Sequence, residues 1–128
     1  MPKNPRFDPR TLAAIDKAKI VGIKAGRGEH RFIGIWAVVV EGRVFMRSWS
    51  LKERSWWRTF LDDPHGEIFV GGRKRGIKVR AVQVKSETLK EKVSAVYREK
   101  YNTPGSVQYV KDMSRSPSKD TTTELVAN

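Results

Sequence analysis

The spacing of apolar residues along this chain changes several times, and each change marks an element. Asp8-Pro9 precedes Leu12 and Ile15, which lie three apart. An aspartate N-cap followed by proline at the first helical position predicts a helix of about ten residues, ending near Lys17–Lys19. Ile20-Val21-Gly22-Ile23-Lys24 then reads as a strand. After the polar turn Gly26-Arg27-Gly28-Glu29-His30-Arg31, the stretch from Phe32 to Val40 is one long apolar run of β-formers. Glu41-Gly42 is a tight-turn signal, and Val44-Phe45-Met46 resumes the run, predicting a hairpin of two long strands. Both strands are apolar at nearly consecutive positions, the pattern of strands buried on both faces. A helix or a second subunit is expected to cover the outer face.

The period becomes helical at Trp56, Trp57, Phe60 and Leu61, with Ser55 as the candidate cap and Asp62-Asp63-Pro64 as the stop. Ile68-Phe69-Val70 predicts a short strand. Beyond the basic turn Gly71-Gly72-Arg73-Lys74-Arg75-Gly76, the residues Ile77, Val79 and Ala81 alternate with Lys78 and Arg80. The phase shifts at Val82 and Val84, which a β-bulge near Ala81 would explain. Ser86 and Glu87 open the clearest helix, with Leu89, Val93, Val96, Tyr97 and Lys100 on one stripe, until Thr103-Pro104-Gly105 interrupts it. Val107, Val110 and Met113 suggest further helical turns. Ser114 to Lys119 reads as mobile, and Thr121 to Val126 as a strand returning to the sheet. About six strands, mostly in hairpins without a βαβ rhythm, and three to four helices predict an α+β fold. Its centre is an antiparallel sheet or small barrel with peripheral helices. Residues 1–18 read as an arm with a short helix, and residues 19–128 as the barrel domain of a single-domain chain.

Composition narrows the chemistry. The 128 residues carry 26 Lys+Arg against 14 Asp+Glu, a net charge of +12, and no cysteine. Disulfide scaffolds, thiol catalysis and Cys-ligated metals are excluded. Two histidines, His30 and His65, are too few for a histidine zinc site without carboxylates. No apolar run reaches the roughly 18 residues of a membrane span, and the first six residues have no signal-peptide character, so a soluble cytoplasmic protein is expected. No catalytic triad or acid/base pair stands out.

Several constellations have two readings. Arg47-Ser48-Trp49-Ser50 follows an apolar strand: a guanidinium fork beside hydroxyls suits a phosphate, and an indole can stack on a flat ring. Equally, a strand end can carry a solvated arginine and a tryptophan that covers core. Arg27 and Arg31 flank a glycine turn that is either an anion site or an ordinary connection. Trp56 and Trp57 point about 100° apart on a helix, so one belongs to the core and Trp57 is the candidate for a pocket or a partner. His30 and His65 are turn histidines or general acids. Arg73, Lys74, Arg75, Lys78 and Arg80 form the densest basic cluster, either a solvated hairpin or a contact for nucleic-acid phosphates. Tyr97 and Tyr101, four apart, are expected to sit against the barrel or a partner.

The order of parts in the middle of the chain resembles the flavin- and deazaflavin-binding split-barrel superfamily, particularly its deazaflavin-dependent nitroreductase branch. The resemblance rests on the Gly26-Arg27 turn after the first strand, the hairpin at Glu41-Gly42, Trp56-Trp57 in an aromatic helix, and Asp63-Pro64 at its stop. Tyr97-Arg98-Glu99-Lys100-Tyr101 and the pattern Thr122, Thr123, Leu125 are similar to a small bacterial family related to that superfamily. The resemblance covers roughly residues 19–126. It implies a split β-barrel, a homodimer, and an FMN or deazaflavin cofactor. The resemblance implies that the cofactor phosphate would lie against Arg47, Ser48 and Trp49, then Lys52 and Arg54; the reading of the residues themselves adds Trp57 as pocket wall, with Arg27 and Arg31 in second place. The implied reaction passes hydride or electrons to a small organic acceptor. Replacing Arg47 with alanine is then expected to weaken cofactor binding and to leave the fold intact. The alternative is a basic module without enzymatic activity that binds nucleic acid or another polyanion.

Overall fold

Asp8 begins the fold as a cap: its Oδ1 accepts the Thr11 N–H at 2.8 Å, with Pro9 at the first helical position of α1, Pro9–Lys17. The computed structural model describes residues 7–27, 33–49, 55–70 and 76–127. Within them lie seven strands: β1 (Val21–Ala25), β2 (Ile33–Ile35), β3 (Ala37–Val40), β4 (Arg43–Met46), β5 (His65–Phe69), β6 (Ile77–Gln83) and β7 (Thr123–Ala127). Three more α-helices join α1, namely α2 (Trp56–Asp62), α3 (Glu87–Lys100) and α4 (Pro104–Met113), with a 3-10 turn at Ser118–Thr121. The architecture is α+β, as the hairpin-rich pattern predicts.

The strands lie in the order β2-β1-β5-β6-β7-β4-β3, every neighbouring pair antiparallel. They form a nearly closed barrel with one seam. The two edge strands, β2 and β3, are consecutive in the chain. The predicted single strand Phe32–Val40 is therefore divided at Trp36: Ile33–Ile35 pairs with β1, and Ala37–Val40 pairs with β4. The apolar run is continuous, so its hydropathy carries no mark of the bend. The turn between β3 and β4 was legible, since Glu41 and Gly42 both adopt positive φ (53° and 74°), the backbone of a type I′ hairpin.

The barrel interior is filled by Val21, Ile23, Val44, Met46, Ile68, Val79 and Leu125, and it is plugged by Ile15 of α1 and by Trp56 and Phe60 of α2. Alternate residues of β3 and β4 face the other way. Val38, Val40 and Phe45 meet Val93 and Tyr97 of α3 and Val110 and Met113 of α4. Helices of the same chain thus cover the outer face that the two-sided apolar pattern required. At Gly66 the packing leaves no room for a side chain: a Cβ there would lie 2.6 Å from the Lys24 carbonyl oxygen and 2.9 Å from the Phe60 ring.

Three expectations are corrected. The strand expected at Ile68 begins at His65, which is a strand residue and not a turn residue. No bulge interrupts β6: its register with β7 runs unbroken from Val79–Ala127 to Gln83–Thr123, and Val82 and Val84 fall on the outward side by simple alternation, where Val84 joins the outer core. The segment Ser114–Lys119, expected to be mobile, places Ser118 in a buried position that holds the end of β4. The basic turn Arg73-Lys74-Arg75 and His30 lie outside the described residues.

Candidate functional site

At Met46 the chain leaves β4 and enters the stretch Arg47-Ser48-Trp49. Arg47 turns inward and is only 3% exposed. Its Nε donates to Thr122 Oγ1 at 2.8 Å and its Nη2 to the Lys90 carbonyl at 2.7 Å. Its Nη1 donates to Ser94 Oγ at 2.7 Å and to the Met113 carbonyl at 2.9 Å. All four acceptors are neutral, and burial pulls the guanidinium pKa below its ordinary value. Met113 ends α4, so its carbonyl belongs to the partially negative end of a helix, which partly compensates a buried cation. Arg47 is thus neither solvated nor open to a ligand. It ties β4 to α3, α4 and the entrance of β7, and the expectation that its replacement spares the fold gives way to this network.

The neighbouring backbone is held just as firmly. The Arg47 N–H donates to the Tyr97 hydroxyl at 3.1 Å, which donates onward to the Trp36 carbonyl at 2.7 Å. The phenol fills the gap where the ladder, last paired at Ala37–Met46, opens. Burial raises the Tyr97 pKa far above its usual value, so the hydroxyl stays a donor. Ser48 is buried: its N–H donates to Thr121 Oγ1 at 2.7 Å, and its carbonyl accepts from Ser118 Oγ at 2.7 Å.

The next residue, Trp49, is 61% exposed. Its indole meets Tyr109 edge-to-face at 5.8 Å. Tyr109, also exposed, meets Trp36 at 6.0 Å, and Trp36 stacks on Tyr101 at 4.3 Å with the planes 6° apart. A rigid strand end therefore presents an open indole backed by a graded series of rings, with the tyrosine and tryptophan faces suited to a flat partner.

Trp57 lies around the same rim. Gln83 stands opposite Thr123, and Thr123 opposite Met46, so the ends of β6, β7 and β4 are neighbours. Trp57 Nε1 donates to Gln83 Oε1 at 2.8 Å, and the Arg58 guanidinium lies 5.9 Å from a Trp57 ring centre. Trp56 points into the core, as one of the two had to. Arg27, expected near an anion, meets the Asp63 carboxylate: its N–H and Nε reach Oδ2 at 2.8 and 3.3 Å, while Oδ1 accepts the His65 N–H at 3.2 Å. The Arg27 N–H bond is the main cause holding the Asp63 carboxyl below its usual range. The Gly-Arg turn and the Asp-Pro stop, far apart in the chain, thus meet, and the Arg27 side chain remains mostly exposed. Arg31, Lys52 and Arg54 lie outside the described residues.

The sequence did not mark Ser94, Ser118, Thr121 or Thr122 as site residues; Thr122 entered only as part of the terminal pattern with Thr123 and Leu125. Ser94 had a signal: it follows Val93 directly and precedes Tyr97 by three, a small polar residue within the buried stripe of α3. The threonines had none, because a run of threonines before a strand is ordinary β-sequence. Among the described residues no His, Asp and Glu cluster could hold a metal, and no helix is long and apolar enough to cross a membrane.

Comparisons with known proteins agree with the barrel. A family model described as "Uncharacterized protein conserved in bacteria (DUF2255)" matches residues 11–125. The conserved hypothetical protein Rv2991 from Mycobacterium tuberculosis has a similar structure, with a TM-score of 0.63 at 15% identity, covering 100% of this chain and 84% of that one. A pyridoxamine 5'-phosphate oxidase-like protein from Listeria innocua superposes with a TM-score of 0.61 at 12% identity, covering 93% and 90%. At these identities the likeness is one of fold. No curated protein matches the chain by sequence.

Proposed function

The chain belongs to the bacterial family DUF2255, and from that premise we propose that it binds a flavin-type cofactor, FMN or a deazaflavin, at the end of β4. The reaction in this reading passes hydride or electrons to a small organic acceptor, as in the deazaflavin-dependent branch that the sequence resembles. The barrel's likeness to a pyridoxamine 5'-phosphate oxidase-like protein supports the class of fold. The observation that carries the reading is Trp49, an open indole fixed on a strand end by Arg47 and Ser48. A surface ordered before the ligand arrives loses little entropy on binding.

When bound, the cofactor supplies the redox chemistry. The chain's own residues bind and orient it: Trp49 and Tyr109 offer ring faces, and Trp57 with Gln83 borders the same rim. Since the Arg47 guanidinium is committed to internal acceptors, phosphate contacts fall to Lys52 and Arg54, which follow Trp49 in the sequence, and to Arg27 and Arg31. Two copies of the chain are the assembly this reading expects.

The test is a titration with FMN and with a deazaflavin, followed by tryptophan quenching and ligand fluorescence. Saturable binding of one of them is expected. Trp49→Ala should weaken it by up to about tenfold, the scale of one aromatic contact, with an unchanged thermal midpoint. No saturable binding to either ligand rejects the proposal.

A further inference from the structure

We propose that the outward face of β1, β5 and β6 docks the phosphate backbone of a single-stranded nucleic acid. The proposal does not rest on the cofactor reading: of these strands that reading uses only the rim, at Gln83 and at Arg27 beyond β1, whereas Lys24, Lys78 and Arg80 play no part in it.

The ladder registers place the side chains. Lys24 of β1 stands opposite Glu67 of β5, which stands opposite Lys78 of β6. One step along, His65 stands opposite Arg80. Lys78 and Arg80 are two residues apart on one strand, so they share a face at a spacing of about 6.7 Å. That spacing is close to one phosphate step of an extended strand. Buried Val79 and Ala81 point the other way, into the barrel, and fix the two cations outward.

Among the described residues the cations on this face carry no neutralising carboxylate, a state they share with others such as Arg10, Lys17, Lys85 and Arg98, but here three of them are gathered by the ladder registers. Arg27, Arg43, Lys90, Lys92 and Lys119 each pair with a carboxylate. Among the described residues Lys24, Lys78 and Arg80 are in no ion pair, and Lys24 and Lys78 are exposed. Glu67 is the one carboxylate on the outward positions of these three strands, and it pairs with neither lysine within the ion-pair distance. The sequence that joins β5 to β6 contains Arg73-Lys74-Arg75. With a net charge of +12, the chain has the electrostatic footprint of a polyanion binder. A membrane surface fits less well, because interfacial binding inserts apolar side chains. The exposed large hydrophobic residues Ile20, Trp49, Leu61, Val107 and Tyr109 all lie outside β1, β5 and β6.

The experiment measures fluorescence anisotropy of a labelled oligothymidylate across a salt series. It compares the full chain with Lys78→Ala/Arg80→Ala and with Glu67→Gln, and runs phosphatidylserine vesicles in parallel. Affinity is expected to fall log-linearly with salt. The double variant should lower the slope by about 1.4, at about 0.7 per lost phosphate contact. Glu67→Gln removes an opposing charge and should tighten binding. Folding is checked by circular dichroism; should the double variant misfold, Lys24→Ala, with an expected slope change of about 0.7, takes its place. Unchanged slopes in these variants, absence of salt-dependent binding, or preference for the vesicles would each overturn the proposal.

Discussion

Arg47 shows how one residue can combine a familiar sequence signal with an unexpected position. An arginine at a strand end reads as a surface cation, since arginine is rarely fully buried. Its four acceptors come from positions 90, 94, 113 and 122, and no local pattern links them. Removing the side chain leaves those groups to find other partners in a dry interior. Arg47→Ala is expected to cost about 3 kcal/mol or more of unfolding free energy, read from a urea transition. Tyr97→Phe strands the Arg47 N–H and the Trp36 carbonyl together and should cost about 2 kcal/mol. Near-wild-type stability in both variants would refute the network as an anchor. Trp49, by contrast, was identified as a ring-stacking candidate from its residue type and its place after an apolar strand; the sequence could not tell whether it faced solvent or core.

At the scale of elements, the local signals were the legible ones. Asp8, Ser55 and Ser86 cap α1, α2 and α3 through their side chains, as their positions before helical patterns foretell. Thr103 makes no such bond to α4; its hydroxyl meets that of Ser106 at 2.7 Å. Ser86→Ala is therefore expected to lower stability by about 1 kcal/mol and Thr103→Ala by clearly less, a contrast that thermal unfolding can resolve. The bend at Trp36 was not legible, because it depends on which strands flank it. Nor was the docking of α1, which rests on partners far along the chain: Lys100 Nζ donates to the carbonyls of Ile15 and Ala37 at 3.0 and 2.6 Å, and Tyr101 Oη donates to that of Lys19 at 2.8 Å.

For the molecule as a whole, the buried tyrosines are expected to set the alkaline limit. Burial raises the pKa of both Tyr97 and Tyr101, so the folded state keeps protons that the unfolded chain releases above about pH 10. Their contribution is complete below that pH and is lost as pH rises beyond it. Lys100 acts in the opposite sense, since burial lowers its pKa and stability gains as it deprotonates below its ordinary value of 10.5. Two tyrosines outweigh one partly buried lysine at high pH, so urea midpoints should fall as pH is raised past 10, and less steeply in Tyr101→Phe. An equal slope in that variant would count against this account. The fold class was legible because hairpins and caps are short-range features, whereas the position of β7 was not. That strand follows all the others in the chain yet sits in the middle of the sheet, between β6 and β4. During synthesis, the ribosome therefore releases every other strand before the one that joins them. Until residues 123–127 emerge, β6 and β4 each keep a bare edge, the kind of surface that recruits chaperones or neighbouring nascent chains.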